Sequence, residues 1–396
     1  MRLVPFDMER YQSTYEHRVG INLSESGVAP LSTRGLIDLA DQSPAFSGGD
    51  LTARIEDIAL GYGQSNGSDE LRANIARLYP SANEDSVLVT VGGAEANFAC
   101  FWHLAEEQGR AAALVPTYGQ VPGLVASFSG RILPVRLIEE EGWQPDLAAL
   151  EQALKSGARF LLVTNPNNPT GAALSSESMR EIARLTELHG SWIIADEVYG
   201  GAETGANLST PLEADALAET PSFWGCHDRV LVTGSLSKAY GLPGLRVGWA
   251  VGPEELVAEL WGRTDYTTIA PATLSDLLAA VALHPEVRPR VIARTRGIVG
   301  ANLALIREWA DAQGDRFSYR APDAGAICYL RYNAPVNSTD FAEKLRTEKN
   351  LLVVPGDHFG MDGYLRVGFG NPRDELSEGL ALIGDAFDEA ALAAAV

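Results

Sequence analysis

Short, uninterrupted apolar runs recur through the middle of this chain, and longer amphipathic stretches separate them. The runs are continuous rather than alternating, which is typical of parallel strands that are covered by helices on both faces. One intervening stretch, 176–189, has helical periodicity, opens with Ser175 and Ser176 and carries Glu177 in its first turn. The alternation of strands and helices predicts an α/β fold with a doubly wound, mostly parallel sheet. The apolar runs span residues 86–91, 111–115, 159–164, 192–195, 229–233 and 247–251.

The last third of the chain has a different pattern, which predicts a second and smaller α+β domain. Residues 278–312 are mostly helical in pattern and lead out of the large domain, and a strand-like segment follows at 326–330. We therefore assign residues 46–290 to a large ligand-binding domain. Residues 1–45 and 291–396 are assigned to the small domain.

Composition excludes several classes of protein. The chain has 396 residues, 46% of them hydrophobic, with a formal net charge of -21, which disfavours binding to nucleic acid and to anionic membrane surfaces. No apolar run reaches membrane-spanning length, and the start lacks the pattern of a signal peptide. Cys100, Cys226 and Cys328 lack metal-ligand spacing, so we expect buried thiols and no metal site. These features predict a cytoplasmic protein.

Lys238 lies in the segment with the strongest chemical signature, 235–248, which is rich in Gly and Pro. The lysine directly follows Ser237, with Ser235 just upstream and Arg246 downstream across a turn. A lysine amine forms a Schiff base with an aldehyde, and two hydroxyls with a guanidinium can surround a phosphate. The segment therefore predicts a site for pyridoxal 5'-phosphate (PLP). A solvated surface amine is the usual role of a single lysine, and the segments described next argue against it here.

An acid, Asp196, follows a buried apolar run, and open α/β sheets bind ligands at the carboxyl edge of their strands. An ionised carboxylate beside a pyridine nitrogen keeps that nitrogen protonated, and the protonated ring is an electron sink for a carbanion at Cα. A helix N-cap is the alternative role for Asp196, but beside Lys238 we favour the pyridine partner. Asn168, in the rigid turn 165–171, and Tyr199 are predicted to share the ring hydroxyl, and a plain turn before a helix is the alternative for 165–171.

Two further junctions between strands and helices offer contacts to such a cofactor. Glycines at the end of the run 86–91 expose backbone N–H groups at the start of an apolar helix, which suits a phosphate, and a plain tight turn is the alternative role of these glycines. Tyr118, at the end of another strand, is predicted to stack on the pyridine face. A core tyrosine with its hydroxyl at the rim is the competing role for Tyr118.

Arg366 is the single charged residue of an otherwise apolar strand-like run, 363–370. A planar guanidinium on a rigid strand suits a bidentate grip on a carboxylate, so Arg366 is predicted to bind the substrate carboxylate together with Asn168. A buried ion pair with an Asp or Glu is the structural alternative.

With these residues, the chain resembles the class I/II aminotransferases, which are fold-type I PLP-dependent enzymes. The resemblance covers about Asn22 to about Ile383 and implies a PLP-binding large domain, a small domain, an amino acid substrate, and a homodimer whose active sites lie near the subunit interface. Tyr62 matches the tyrosine that reaches the phosphate bound by the neighbouring subunit, and an ordinary loop aromatic is its alternative role. The resemblance also implies catalytic roles for Lys238, Asp196 and Tyr118, phosphate contacts by Gly93, Ala94, Ser235, Ser237 and Arg246, ring-hydroxyl contacts by Asn168 and Tyr199, and carboxylate binding by Arg366.

The chain departs from the family pattern at several positions. Ala94 stands where many relatives have Ser or Thr, so a phosphate contact there involves the backbone alone. The segment 22–28 is similar to the start of capreomycidine-synthase-like members, which act on arginine derivatives. This similarity implies that Glu25 covers the substrate and attracts a cationic group, and a solvated loop glutamate is the alternative. His17 and His358 are further candidates for acid/base or specificity roles.

Aminotransfer to a 2-oxo acid, through a Lys238 aldimine and a quinonoid, is the leading function that the resemblance implies. The alternative is a specialised biosynthetic reaction on an amino acid, namely cyclisation, O2-dependent oxidation, or elimination or replacement at Cβ or Cγ. Two other classes are a non-catalytic PLP-binding regulator and a nicotinamide-dependent Rossmann enzyme. The first needs a basic DNA-binding segment and the second a G-x-G-x-x-G after its first strand, and the sequence contains neither.

Overall fold

Strands of two separate sheets account for most of the β structure. The computed structural model describes residues 3–105, 109–128, 130–206 and 218–394. The strands are β1 (Ile21–Asn22), β2 (Val87–Thr90), β3 (Arg110–Val115), β4 (Arg131–Ile138), β5 (Gln144–Pro145), β6 (Phe160–Thr164), β7 (Trp192–Asp196), β8 (Val230–Ser235), β9 (Gly248–Val251), β10 (Phe317–Ser318), β11 (Ile327–Tyr332), β12 (Leu351–Leu352), β13 (Val354–Pro355) and β14 (Tyr364–Gly368).

Several helices begin at a side-chain cap. Ser175 accepts a hydrogen bond from the backbone N–H of Ser178, which confirms the helix that was predicted after residue 175. The helices are α1 (Asp7–Tyr15), α2 (Thr33–Ala40), α3 (Asp50–Asp57), α4 (Asp69–Ala76), α5 (Gly93–Leu104), α6 (Gln120–Ser127), α7 (Leu147–Lys155), α8 (Ser176–Leu188), α9 (Glu254–Thr264), α10 (Thr273–Ala282), α11 (Arg288–Gln313), α12 (Ser338–Lys349) and α13 (Arg373–Ala394).

The larger sheet has eight strands in the order β2-β9-β8-β7-β6-β3-β4-β5. Neighbours from β8 to β4 pair in parallel, whereas β9 and β5 pair antiparallel with their neighbours, so the predicted α/β fold class is confirmed. Every predicted apolar run forms a strand of this sheet. Sequence reasoning missed β4, because Pro134 and the charged Arg131 and Arg136 interrupt the apolar run that marks a doubly covered strand.

The smaller sheet has four antiparallel strands in the order β10-β11-β14-β13, and β1 pairs in parallel with β12 beside it. The N-terminal segment therefore lies next to the C-terminal third of the chain. Leu36 and Ile37 pack into the core of the large sheet, and the proposed boundary at residue 290 falls in the first turn of α11. The boundaries at 46 and 290 stay a prediction.

No helix in the described ranges is long and apolar enough to cross a membrane. Cys100 and Cys328 are buried as expected, but the expectation for Cys226 is wrong, because this thiol lies exposed in the turn that precedes β8.

Candidate active site

A cavity of about 280 Å³ lies where the carboxyl ends of β6, β7 and β8 meet the small sheet. Its position is the one that ligands occupy in open α/β sheets. The predicted site residues that line it are Glu25, Gly93, Ala94, Tyr118, Asn168, Asp196, Tyr199, Ser235, Ser237, Lys238, Arg246 and Arg366.

Asp196 is the last residue of β7 and is 5% exposed. One carboxylate oxygen, Oδ2, accepts a hydrogen bond of 2.9 Å from Asn97 Nδ2, and the other, Oδ1, accepts one of 3.3 Å from the Val198 N–H. Burial raises the pKa of Asp196, while the Asn97 hydrogen bond, the Val198 N–H and the charge of Lys238 oppose that rise. The Asp196 carboxylate therefore lies in a pocket that excludes water but supplies hydrogen-bond donors.

Lys238 follows β8 in the chain and reaches the same cavity. Burial lowers the pKa of the Lys238 amine, and the Arg366 charge lowers it further, whereas Glu25, Glu9 and Asp196 raise it. The neutral amine is thus more available than that of an exposed lysine, as a base or nucleophile requires.

The turn before α5 and the segment after β8 form a cradle of donors. Gly92 has a φ of +82°, and a Cβ at this position would approach Arg246 Nη2 to 2.4 Å, so the guanidinium packs directly over the glycine turn. Because α5 begins at Gly93, its first backbone N–H groups lack intrahelical acceptors. The Ser237 N–H donates to Ser235 Oγ at 3.1 Å, which holds the second wall of the cradle in place. Such a set of N–H, hydroxyl and guanidinium donors suits a phosphate.

Arg366 lies on β14 and is 1% exposed. Its Nη1 donates to Asn168 Oδ1 at 3.0 Å and its Nη2 donates to the Ser24 carbonyl at 2.5 Å, and Nε has no hydrogen-bond partner among the described atoms. These partners are neutral, unlike the Asp or Glu of a buried ion pair. A buried guanidinium without a carboxylate among the partners described here is suited to an anionic ligand.

Two tyrosines flank the cavity. Tyr118 Oη donates to Glu9 Oε2 at 3.2 Å, and the Tyr118 ring makes an edge contact with Phe6 at a centroid distance of 5.0 Å. Tyr199 is buried, and burial raises its pKa to about 12. Gly325 has a φ of +84°, and a Cβ there would lie 3.0 Å from the Tyr199 ring, so a glycine permits this close packing.

The N-terminal segment closes one side of the cavity. The Gly368 N–H donates to the Leu23 carbonyl at 2.6 Å and the Ala29 N–H donates to the Gly370 carbonyl at 2.7 Å, so residues 23–29 run beside the end of β14. A Cβ at Gly368 would come within 2.0 Å of the Glu25 carbonyl oxygen, which only glycine avoids. This path places Glu25 at the cavity, with its side chain exposed at the mouth.

Sequence reasoning missed several lining residues. Glu9 and Gln12 belong to α1, a short and mostly polar helix, and Glu16 caps its C-terminal end; these residues reach the site only because α1 folds over it. Asn97 was missed as well, although a signal existed: it is a polar residue in the otherwise apolar stretch Ala96–Phe101 of α5. A buried amide in such a helix needs a polar partner.

Other predicted residues lie elsewhere. Tyr62 is 94% exposed and does not line the cavity of its own chain, and its assignment to a neighbouring subunit stays a prediction. His17 and His358 also lie outside the set of described residues that line the cavity. In the described ranges, no group of three or more His, Cys, Asp or Glu side chains is arranged to hold a metal ion.

Comparison with known proteins gives the family. The model of the family described as aminotransferase class I and II matches residues 37–383. The chain belongs to this family. Capreomycidine synthase from Streptomyces vinaceus is 32% identical to it over 351 residues, which are 88% of this chain and 85% of that protein. Aspartate aminotransferase from Streptomyces avermitilis is 29% identical over 353 residues, covering 83% of this chain and 82% of the relative.

Solved structures agree with this assignment. A PLP-dependent aminotransferase from Streptococcus suis has a TM-score of 0.88 and 27% identity, with 98% of this chain and 99% of that chain covered. The PLP-dependent cyclase OrfR has a TM-score of 0.82 and 25% identity, with 98% of both chains covered. The fold is therefore that of fold-type I PLP enzymes, and the protein is a PLP-dependent enzyme of the aminotransferase family.

The residues present fit PLP, which is the cofactor of this enzyme. The cavity offers an amine at Lys238, a buried carboxylate at Asp196 and the cradle of donors around Arg246. These groups match the aldehyde, the pyridine nitrogen and the phosphate of PLP in chemistry. A cavity of this polarity and donor content supports the cofactor on physical grounds, besides the family relationship.

Proposed function

We propose that this enzyme transfers the amino group of an L-amino acid to a 2-oxo acid. The observation that carries the proposal is that one cavity holds an amine, a buried carboxylate and a buried guanidinium, contributed by Lys238, Asp196 and Arg366. These are the groups needed to move a proton at Cα, to hold the positive charge of the cofactor ring, and to orient the carboxylate of an amino acid.

The cofactor, when bound, supplies an electron sink for the charge that develops at the substrate Cα. With PLP bound, Asp196 would hold a proton at the ring nitrogen, and the Lys238 amine would be the base for the proton at the substrate Cα. Arg366 and the Asn168 amide, which touch each other at 3.0 Å, fix the substrate carboxylate. Tyr118 would contact the face of the cofactor ring, and Tyr199 and Asn168 would hold its hydroxyl group.

The remaining assignments concern the phosphate and the assembly. We assign the phosphate to Gly93, Ala94, Ser235, Ser237 and Arg246, which line one end of the cavity. The enzyme is proposed to be a cytoplasmic homodimer in which Tyr62 completes the partner's phosphate site. Exposed apolar side chains support an interface, because large apolar groups rarely cluster on a free surface. They lie on two touching segments and comprise Leu60, Tyr62, Trp261, Tyr266 and Ile269.

Cyclisation of an amino acid is the second candidate, and two findings favour it. The relatives include a capreomycidine synthase, and the structural neighbours include a PLP-dependent cyclase. Fold and cofactor residues are shared between such enzymes and aminotransferases, so they do not separate the two reactions.

The cavity mouth supports a substrate class. Carboxylates of Glu9, Glu16 and Glu25 line it, on the side that α1 and the segment 23–29 form. The Arg366 guanidinium lies beside this wall, because it contacts Met8 Sδ and the Ser24 carbonyl, so the cavity presents a cationic anchor next to an acidic wall. We therefore propose an amino acid with a cationic side chain, whose carboxylate meets Arg366 and whose distal charge meets the glutamates.

Incubation of the holoenzyme with single L-amino acids, arginine and lysine included, tests both reactions. The mixtures contain no oxo acid, and the products and the cofactor form are separated by chromatography. Aminotransfer predicts one equivalent of 2-oxo acid and conversion of the cofactor to pyridoxamine phosphate. Multiple turnovers, with the cofactor still in its aldehyde form, would overturn aminotransfer and support cyclisation or oxidation. The D-enantiomers are the control, because the fixed positions of Arg366 and Lys238 select one configuration at the substrate Cα.

Substitution of Glu16 or Glu25 by Gln is expected to raise KM for arginine about tenfold, since a hydrogen bond to a charged group is lost. Burial, and then the neighbouring Glu25, raise the pKa of Glu16, so this carboxylate loses its charge at a higher pH than an ordinary glutamate. We therefore expect kcat/KM for arginine to fall as the pH is lowered toward that pKa. Steady-state kinetics from neutral to acidic pH check both effects.

Two controls accompany these variants. Norleucine, which has no distal charge, should show a KM that changes little in Glu16→Gln and Glu25→Gln. Glu308→Gln, on the exposed face of α11 away from the cavity, should change the KM for neither substrate. An equal rise in KM for arginine and for norleucine would contradict the proposal of a cationic substrate.

A further inference from the structure

Asn97 is a buried amide that neither catalysis nor cofactor binding has so far required. It lies on α5, is 3% exposed, and faces Asp196 across the cavity wall. Its Nδ2 donates to Asp196 Oδ2 at 2.9 Å, and its Oδ1 accepts a hydrogen bond of 2.8 Å from Thr233 Oγ1. Thr233 is itself fully buried on β8 and pairs in register with Asp196 on β7.

This arrangement fixes which end of the amide faces the carboxylate. The Thr233 hydroxyl gives its proton to the amide oxygen, which turns the NH2 group toward Asp196. An amide in the opposite orientation would place its oxygen against an ionised carboxylate, which is repulsive. The Val198 N–H reaches the other carboxylate oxygen, so both oxygens have a donor that favours the charged form.

We propose that Asn97, held by Thr233, is a positioning residue that keeps Asp196 ionised and so keeps the proton on the cofactor's ring nitrogen. Asn97 acts through Asp196. The inference rests on the proposed use of Asp196 as the ring partner, but it does not depend on which reaction follows. Three elements contribute to this hydrogen-bonded chain: α5 supplies the amide, β8 supplies the hydroxyl and β7 supplies the carboxylate.

Loss of the Asn97 donor has a predictable sign. Without it the Asp196 carboxylate is less stabilised, its proton affinity rises, and the proton that it shares with the ring nitrogen moves toward Asp196. Replacement of Asn97 by leucine, which is similar in size, should change the distribution of that proton about tenfold. The same change should lower kcat about tenfold and leave KM within about twofold, because the substrate carboxylate still meets Arg366.

Nitrogen NMR of the holoenzyme, with the ring nitrogen of the cofactor isotopically labelled, measures the proton directly. In Asn97→Leu the ring-nitrogen signal should move toward that of a neutral pyridine, and Asp196→Asn provides the fully neutral reference. Thr233→Val should produce a smaller shift in the same direction, and Thr233→Ser, which keeps the hydroxyl, should produce none.

The outcomes are separable. An unchanged ring-nitrogen signal in both Asn97→Leu and Thr233→Val would overturn the inference, whatever the enzyme catalyses. If Asn97→Leu does not fold, the pair Thr233→Val and Thr233→Ser decides the question, with equal signals counting against the inference. A shifted ring-nitrogen signal in an enzyme that shows no aminotransfer would support the role of Asn97 and would overturn only the proposed aminotransfer.

Discussion

Replacement of Lys238 by alanine is expected to lower kcat by about 10⁴-fold or more, because the proposed general base and the proposed covalent anchor of the cofactor are lost together. The cradle around Arg246 and the carboxylate of Asp196 remain, so the cofactor should still bind, although more weakly and without a covalent link. Single-turnover kinetics with an amino acid donor measure the first effect. Reduction with borohydride followed by mass analysis of the protein measures the second.

Two controls test whether the loss arises from the amine. Lys344 is a lysine of α12 that pairs with Glu348 and Glu389 at the surface, and Lys344→Ala should retain full activity. A small primary amine added to Lys238→Ala should restore part of the rate, since the cavity vacated by the side chain can admit it. Retention of more than about a tenth of the rate in Lys238→Ala without added amine would contradict the role of Lys238 as base.

Replacement of Asp196 by asparagine is expected to lower kcat by about 10²- to 10³-fold, a magnitude typical for the loss of a preorganised charge at a developing charge. The substitution preserves the shape of the side chain but removes the negative charge that is proposed to retain the ring proton. Because Lys238 is unchanged, the cofactor should still attach. Steady-state kinetics with the ring-nitrogen NMR signal distinguish this electronic effect from loss of cofactor.

Asp196→Glu is the matched control. This substitution keeps the negative charge but lengthens the side chain by one methylene group, which displaces the hydrogen bond from Asn97. A rate between those of the unsubstituted enzyme and Asp196→Asn is therefore expected. An Asp196→Asn enzyme with near-normal kcat and a bound cofactor would show that the ring nitrogen needs no anionic partner, and the proposed mechanism would fail.

Local segments were predictable because their residues act within a few positions of one another. The apolar runs that form β6, β7 and β8 were visible because strands covered on both faces need no alternation of polar residues. Lys238 and Arg246 lie within one turn-rich segment, so their proximity follows from the chain itself. The strand β4 escaped prediction because Pro134 breaks the apolar run.

The sequence by itself determined the strands at whose carboxyl ends the cavity lies, and it indicated the amine, the carboxylate and the guanidinium that line this cavity. Only the tertiary structure placed Glu16, at the C-terminal cap of α1, beside Glu25, and the Asn97 amide between Thr233 and Asp196. The physical reason is distance along the chain. Asn97 and Thr233 are 136 residues apart and meet because sheet order and helix packing bring them together, which no local pattern encodes.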